Sequence, residues 1–417
     1  SNKKYIIDCI IKCNKFKIKR EIFPYIVIII ISVVIFYKLY SWKIYINYAS
    51  TDSSTHLMMV KDFLKYKTIF YKNPIYNALG YPFLAYTNIA LFSIFFNLEI
   101  YKYFIVFNTI IFVCTAILFY DLLKLIIKNK EISILGTFFF LFSFFLNILI
   151  FGFISQLFSI PIIILLLKEI IMHEKQKKNK RKFLFICKMI LLLISIQTSY
   201  YYYIPEILLG ILIYIILKRN VRKREIVYSI VLYFIFFVSY NFYTSTHLSL
   251  KYESLINSEG YIYRDLYSSF LIFVPMILYY ITLYYTKIDL IFSLFMSGSI
   301  FSLGLLILGI NGKASSYYYF KNYVYLSIFI VIISCKILRK LKDMDKNLYK
   351  SILIFYFIIL IMFLKGDEYI FNKNNLFNPE MFTRKNSVYL ENYLRIKNKD
   401  YTFNEKEMKL IEYIKKK

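Results

Sequence analysis

The sequence predicts an all-α, polytopic helical membrane protein with about eleven transmembrane helices, and three observations support this prediction. First, 59% of the 417 residues are apolar and 21% are aromatic, whereas soluble domains are about 45–50% apolar. Second, the apolar residues form blocks of roughly 20, the length that a helix needs to span the hydrocarbon core. Third, the 53 Lys and Arg residues fall mainly in short clusters between these blocks.

The net charge of +28 does not indicate a nucleic-acid partner. Nucleic-acid binders carry their basic residues along one face or stripe, whereas here the basic residues flank apolar blocks. We therefore predict membrane lipids as partners, and no nucleic acid. The five cysteines lie in the basic N-terminal segment or in apolar blocks, so a disulfide framework is not expected.

Twelve apolar blocks approach the length of a spanning helix. They cover residues 23–41, 79–97, 102–123, 132–150, 151–171, 183–198, 200–217, 226–244, 269–286, 288–310, 322–337 and 349–365. The basic clusters decide which blocks cross, because cytoplasmic loops retain Lys and Arg. These clusters lie at 3–20, 124–130, 168–182, 218–224 and 339–350.

The second block decides the topology. If 79–97 crossed fully, the first basic cluster would be cytoplasmic and the other four external. If it lies along the external interface, all five clusters are cytoplasmic and eleven helices span, with the N-terminus inside. Gly80, Pro82, Asn88 and Asn97 interrupt the block, which favours the interfacial position.

This predicted membrane topology divides the chain into three parts. Residues 1–22 form a basic cytoplasmic segment, and 23–365 form the transmembrane domain, whose long first external loop (42–101) contains interfacial helices. Residues 366–417 form a short external tail. A capping-box signature within 402–407 predicts that this tail ends in an amphipathic helix.

Asp52 is the first candidate for chemistry, in the first external loop. A carboxylate against a low-dielectric surface is suited to act as a general base. The alternative is that Asp52, Ser53 or Ser54 caps a helix running through His56 and Phe63, and the two roles are compatible. His56 lies one turn after Asp52 on the same face, where it binds substrate or makes an interfacial hydrogen bond.

Three further polar residues interrupt apolar blocks. Glu206 follows a run of four tyrosines, and because a charge at membrane depth is costly, we expect a partner or ligand, or else a snorkelling or dipole-stabilised side chain. Gln156 binds substrate or makes an interhelical hydrogen bond. Lys321 stands where a helix begins, and it either clamps a lipid phosphate or snorkels.

The predicted topology places these candidates on one side of the membrane. The polar residues that map to the external side are Asp52, His56, Gln156, Glu206, His247 and Lys321. The cytoplasmic side carries only basic turns. A site that faces outward is therefore predicted, in a plasma (bacterial inner) membrane.

Several short motifs follow one another in an order that covers most of the chain. After the first helix come Asp52 near the start of the long loop, Tyr-Pro-Phe-Leu at 81–84, Tyr-Asp-Leu-Leu-Lys at 120–124, Gly-Phe-Ile-Ser-Gln-Leu at 152–157 and Tyr-Tyr-Phe-Lys at 318–321. This order resembles the GT-C superfamily of polytopic glycosyltransferases, which use polyprenyl-phosphate-linked sugars. The tail also resembles the lead-in to the soluble external domain that many members carry, so the chain is either a compact member or one cut short.

The resemblance implies roles for the candidate residues. Asp52 would be the catalytic base that deprotonates an acceptor hydroxyl, and Lys321 would neutralise the charge that grows on the departing lipid phosphate. His56 and Glu206 would orient acceptor or donor, with Gln156 as a further substrate-binding residue. The co-substrate would be a lipid-linked sugar and the acceptor a glycan or lipid. No cofactor is expected, and because the first loop has no Asp-x-Asp sequence, a divalent metal is not supported.

Two other functions compete with glycosyl transfer. A transporter or flippase for lipid-linked sugars is the first, although such proteins usually show paired repeats and helices broken by Gly or Pro, and this chain has only 10 Gly and 7 Pro. A surface-polysaccharide polymerase or ligase is the second. Such enzymes often use a late external loop rich in Arg and His, and the loop at 245–268 has one of each.

Overall fold

The computed structural model describes eight stretches of the chain. These are residues 17–40, 53–68, 82–142, 154–175, 182–217, 223–248, 289–310 and 316–352, together with residue 354. Asp52, the predicted spanning block 269–286 and the tail 366–417 with its amphipathic helix lie outside them. The predictions made for those residues therefore stay predictions.

Eleven long helices account for nearly all of the described residues, which contain no strand. They are α1 (Lys17–Tyr40), α2 (Ser53–Tyr66), α3 (Leu84–Phe96), α4 (Ile100–Ile127), α5 (Lys130–Phe142), α6 (Ile154–Lys175), α7 (Lys182–Tyr200), α8 (Tyr203–Leu217), α9 (Lys223–Leu248), α10 (Leu290–Ile310) and α11 (Ser316–Met344). A short helical segment at 346–352 follows α11. The carboxylate of Asp345 caps it, accepting hydrogen bonds from the backbone N–H groups of Asn347 and Leu348 at 2.8 and 3.0 Å.

Within the described chain, the all-α fold class is confirmed. Ten of the twelve predicted blocks overlap α1 or α3 to α11. The helix predicted through His56 and Phe63 is α2. Since 269–286 and most of 349–365 lie outside the described residues, the count of eleven membrane spans stays a prediction.

Length and composition indicate an integral membrane protein. Among the described residues, three helices are long and apolar enough to cross a membrane: Val106–Ile127 within α4, all of α6 and all of α7. Large apolar side chains also cover outer surfaces, such as Phe95 at 81% exposure and Phe183 at 80%. Because soluble monomers rarely expose extended apolar surface, these faces are suited to lipid.

The described helices form a bundle whose two ends differ in their side-chain contacts. At one end α7 finishes and α6, α8 and α11 begin, and Gln156 of α6 hydrogen-bonds to Tyr203 of α8 and to the backbone carbonyl of Lys321 in α11. We name this the tyrosine end. It is defined by Tyr200, Tyr202, Tyr203 and Tyr318, whose rings contact one another.

Ion pairs hold the opposite end together. They are Lys168–Asp121 at 3.3 Å, Lys188–Glu169 at 2.9 Å, Lys182–Glu225 at 3.2 Å, Lys342–Glu131 at 2.8 Å and Lys336–Asp289. We name this the basic end, defined by these ion pairs. Helix α1 also starts here, since the Tyr25 hydroxyl donates to Asp121 at 2.7 Å. Described residues of all five basic clusters therefore lie at or next to this one end.

Helix α3 is shorter than its neighbours and lies at the tyrosine end. Its 13 residues extend about 20 Å at 1.5 Å per residue, which is less than the roughly 30 Å hydrocarbon core. It ends at Asn97, whose φ of 49° and ψ of 46° are left-handed. The short helix is compatible with the predicted interfacial position of block 79–97.

Close packing of α8, α10 and α11 encloses the polar residues between them. A Cβ atom added at Gly210 of α8 would lie 2.6 Å from Leu294 Cδ2 and 2.9 Å from Leu294 Cα of α10. A Cβ at Gly298 of α10 would lie 2.9 Å from Tyr325 Cε1 of α11. Since real Cβ contacts are longer, glycine is what allows these helices to approach so closely.

Candidate functional site

Four of the five predicted site residues are described, and all four are buried. The exposed fraction is 4% for His56, 1% for Gln156, 0% for Glu206 and 6% for Lys321. Asp52, the predicted base, lies immediately before α2 and outside the described residues. Because polar groups are seldom buried without partners, the surroundings of each of these four side chains indicate what it can do.

Gln156 joins three helices near their N-terminal ends. Its Nε2 donates to the Tyr203 hydroxyl and, at 2.8 Å, to the backbone carbonyl of Lys321. The Tyr203 hydroxyl donates to the same carbonyl at 3.2 Å. The interhelical hydrogen bonding that the sequence offered as one interpretation of Gln156 is thus confirmed.

These contacts also fix the orientation of the Gln156 amide. A backbone carbonyl only accepts hydrogen bonds, so the amide nitrogen must face Lys321 and the amide oxygen must face away. Among the described residues, Gln156 Oε1 is buried with no hydrogen-bond partner. The side chain therefore presents one free acceptor at the tyrosine end.

The Lys321 side chain lies against an aromatic ring. Its Nζ is 5.7 Å from the centroid of the Tyr200 ring, within the range of a cation–π interaction. At 6% exposure the ammonium group does not extend to solvent, as a snorkelling lysine would. The tyrosine end thus holds a buried cation on a side chain that carries mobile donors.

Tyrosine rings surround this position. Tyr202 stacks on Tyr318 at 5.4 Å between centroids, and Tyr203 stacks on Tyr325 at 5.3 Å. Tyr200 meets Tyr203 edge to face at 4.8 Å. The rings of the tyrosine run therefore pack against one another and against α11, and they line the polar cluster.

Glu206 is the most deeply buried ionisable group of the cluster. It lies in the first turn of α8, where the helix dipole favours a negative charge. Its electrostatic neighbours include Tyr202, Tyr203 and Tyr325. Within the described chain, neither carboxylate oxygen has a hydrogen-bond partner, and with an exposure of 0% this side chain does not snorkel.

His56 belongs to a neighbouring hydrogen-bonded group. The Tyr86 hydroxyl lies 2.7 Å from His56 Nδ1 and 3.0 Å from Ser155 Oγ. Ser155 precedes Gln156 in the first turn of α6, so this group and the tyrosine cluster meet there. The structure thus brings Gln156, Glu206 and Lys321 together at one end and links His56 to the same helix start.

The structure adds a residue that the sequence analysis passed over. Asn322 is fully buried, and its Nδ2 donates to the Gly298 carbonyl at 3.1 Å and to Ser302 Oγ at 2.8 Å. The signal for it was present, since Asn322 is an uncharged polar residue at the start of an apolar block, as Gln156 is. Tyr203 and Tyr86 had no such signal, because the chain has 43 tyrosines.

Over the described stretches, no group of three or more His, Cys, Asp or Glu side chains is placed to hold a metal ion. The polar atoms of the tyrosine end come instead from amides, hydroxyls, one carboxylate and one ammonium group.

Comparison of the sequence with protein-family models finds no match, and comparison with curated proteins finds none either.

Proposed function

We propose that this protein is a membrane glycosyltransferase that moves a sugar from a polyprenyl-phosphate donor to an acceptor hydroxyl on the external face of the membrane. The observation that carries the proposal is the convergence of Gln156, Lys321 and Glu206 at the tyrosine end. The opposite end carries the basic clusters that cytoplasmic loops retain. The tyrosine end would therefore face outward.

A buried lysine beside aromatic rings is suited to a lipid phosphate. The Lys321 ammonium group is a compact charge on a flexible stem, in surroundings of low dielectric where electrostatic interactions are stronger than in water. Its Nζ lies 5.7 Å from the centroid of the Tyr200 ring, so the ammonium group is at the tyrosine end, where the proposed lipid phosphate would bind.

The proposed reaction makes one bond and breaks one. The Asp52 carboxylate takes the proton of the acceptor hydroxyl, and the resulting oxygen forms a bond to the anomeric carbon on the face opposite the phosphate. The bond from that carbon to the phosphate oxygen breaks, and its electron pair leaves with the polyprenyl phosphate. Lys321 stabilises the charge that grows on this leaving group, and the configuration at the carbon inverts.

Position along the chain supports this division of labour. Asp52 immediately precedes α2, and α2 is tied through His56 and Tyr86 to Ser155 at the start of α6. The next residue, Gln156, is tied to the backbone of Lys321 at 2.8 Å. Helix α2, which follows the proposed base, is thus connected through hydrogen bonds and the Ser155–Gln156 peptide bond to Lys321, the proposed phosphate-binding residue.

The test is sugar transfer by the purified protein in lipid nanodiscs. A panel of polyprenyl-phosphate donors with labelled hexoses or pentoses is incubated with membrane-glycan and lipid acceptors. We expect one donor to be consumed. The rate should fall by about 10²–10⁴-fold in Asp52→Asn, the usual contribution of a general base, and by about 10²–10³-fold in Lys321→Met.

Lys168→Met is the matched control, because Lys168 is a partly buried lysine of the basic end. Its rate should stay near that of the wild type. Full activity in Asp52→Asn would contradict the assignment of the base. Movement of a labelled donor across liposome membranes without its consumption would contradict glycosyl transfer and favour a flippase.

A further inference from the structure

The buried polar atoms without partners are concentrated at the tyrosine end. Over the described residues they include both oxygens of Glu206, Oε1 of Gln156 and Oδ1 of Asn322. All four are acceptors, and the unpartnered hydroxyls at the same end, those of Tyr202 and Tyr325 among them, can accept as well as donate. Since a buried polar group without a hydrogen-bond partner costs free energy, their concentration in one place favours a bound ligand.

The orientation of both amides is fixed by their nitrogen atoms. Nδ2 of Asn322 donates to the Gly298 carbonyl at 3.1 Å, just as Nε2 of Gln156 donates to the Lys321 carbonyl at 2.8 Å. Neither carbonyl can donate a hydrogen bond, so neither amide can be turned round without losing its bond. The unpartnered oxygens are therefore real acceptors.

Helix register places Glu206 and Asn322 at the same depth. Gly210 contacts Leu294 and Ser297 of α10, and Glu206 lies one turn before Gly210 on the same face of α8. Because α8 starts at the tyrosine end and α10 at the basic end, Glu206 is level with the turn of α10 that follows Ser297. That turn contains the Gly298 and Ser302 atoms to which Asn322 is bonded.

Gln156 reaches the same region through Tyr203. Its amide donates to the Tyr203 hydroxyl, and Tyr203 and Glu206 are three residues apart on one face of α8. The Tyr203 ring stacks on Tyr325, which is three residues after Asn322 on α11. The Glu206 and Asn322 side chains thus both lie beside the contact between the Tyr203 and Tyr325 rings, whereas Gln156 Oε1 faces away from it, because the nitrogen of the same amide makes the bond to Tyr203.

We infer that Glu206 and Asn322 supply oxygen ligands to one monovalent metal cation, sodium or potassium, bound where α8, α10 and α11 meet. The set carries one negative charge and only oxygen acceptors, which suits a hard cation. A single carboxylate gives too little charge for calcium, which usually takes several. Because Glu206 is 0% exposed, the ion would be held without most of its water.

The inference is independent of glycosyl transfer and is tested by binding. Thermal unfolding of the purified protein is followed by circular dichroism at fixed pH and ionic strength, with sodium or potassium chloride replacing choline chloride. A ligand that binds only the folded state raises the unfolding temperature in a saturable way. We expect a saturable rise of several degrees with one or both metal cations relative to choline.

Glu206→Gln should abolish this response, since it keeps the shape of the side chain and removes its charge. The matched control is Glu225→Gln. Glu225 is also an acidic residue in the first turn of a helix, but it lies at the basic end and pairs with Lys182 at 3.2 Å. The control variant should keep the full response to the cation.

A second measurement uses the unaltered protein. A hydrophobic carbodiimide modifies buried carboxyl groups, and mass spectrometry measures the modification of Glu206 in each salt. We expect the metal cation that raises the unfolding temperature to slow this reaction several-fold. Equal unfolding temperatures and equal modification in sodium, potassium and choline would overturn the inference, as would a response that depends on pH alone or survives in Glu206→Gln.

Discussion

The two ends of the helix bundle treat ionisable residues in opposite ways. At the basic end, acidic side chains have lysine partners, as in Lys182–Glu225 and Lys188–Glu169. At the tyrosine end, the carboxylate of Glu206 is fully buried and has no hydrogen-bond partner among the described residues. At the basic end the charged groups bond to one another. At the tyrosine end, buried acceptors remain to which a ligand can bind.

The two ends of the bundle owe their stability to different interactions, because their side chains differ in solvent exposure. Ion pairs that remain partly solvated lose little hydration and contribute little to stability. A buried carboxyl group without a partner costs free energy, so the packing around it must supply the stability of the tyrosine end. We therefore expect substitutions that disturb packing near the tyrosine end to cost more than substitutions that remove an ion pair at the basic end.

The largest effect is expected for Gly210→Leu. The added side chain would meet the Leu294 backbone of α10, since Cβ alone would lie 2.9 Å from Leu294 Cα. Such overpacking should lower the free energy of unfolding by about 3 kcal/mol, measured by denaturation in detergent. Gly304→Ala is the control, because a Cβ there meets nothing within 4 Å. If both variants lost the same stability, close packing of α8 on α10 would not support the cluster.

A smaller loss, about 2 kcal/mol, is expected for Gln156→Leu, which removes the hydrogen bonds to Tyr203 and Lys321 and leaves buried groups unsatisfied. Gln197→Leu is the matched variant. Gln197 accepts one hydrogen bond from Tyr233 at 2.9 Å, so its loss should be smaller. A larger loss in Gln197→Leu would show that the helix junction at Gln156 is not the main polar contact of this end.

At the basic end, Asp289 takes part in both an ion pair and a helix cap, and two substitutions distinguish the contributions of these interactions. Its Oδ1 accepts from the Phe292 N–H at 3.0 Å, and its Oδ2 accepts from Lys336. Asp289→Asn should keep the cap and lose about 1 kcal/mol, whereas Asp289→Ala should lose about twice as much. Equal unfolding free energies for the two variants would mean that the cap contributes nothing.

The smallest effect is expected for Glu131→Gln. Glu131 is 71% exposed and bonds to Lys342 at 2.8 Å, so the loss should be below about 0.5 kcal/mol and vanish in high salt.

The hydrogen bond to Glu131 raises the pKa of Lys342. A raised lysine pKa stabilises the folded state at every pH below the unfolded value of about 10.4, so this contribution should stay constant from pH 6 to 9 and fall only in stronger alkali. A fall between pH 6 and 9 would contradict it.

The sequence predicted most of the described helices because long apolar blocks separated by basic clusters are conspicuous in a sequence. It also found Gln156, Glu206 and Lys321, since a polar residue in an apolar block is conspicuous. It missed Asn322, although the same signal was present, and it had no means of choosing Tyr203 or Tyr86 among many tyrosines. Which side chains face one another depends on how separate helices pack, and a single sequence carries no pattern for that.

Sidedness is the central claim, since the outward-facing site requires the two ends of the bundle to lie on opposite sides of the membrane. Helix α4 offers a matched pair of exposed positions, Asn97 shortly before it and Lys128 at its end, both with left-handed backbone. In a variant with the five native cysteines replaced by alanine, each position is changed to cysteine and treated with a membrane-impermeant maleimide. We predict that Asn97→Cys is labelled in intact cells and Lys128→Cys only after permeabilisation. Labelling of position 128 in intact cells, or of both positions from one side, would contradict the account.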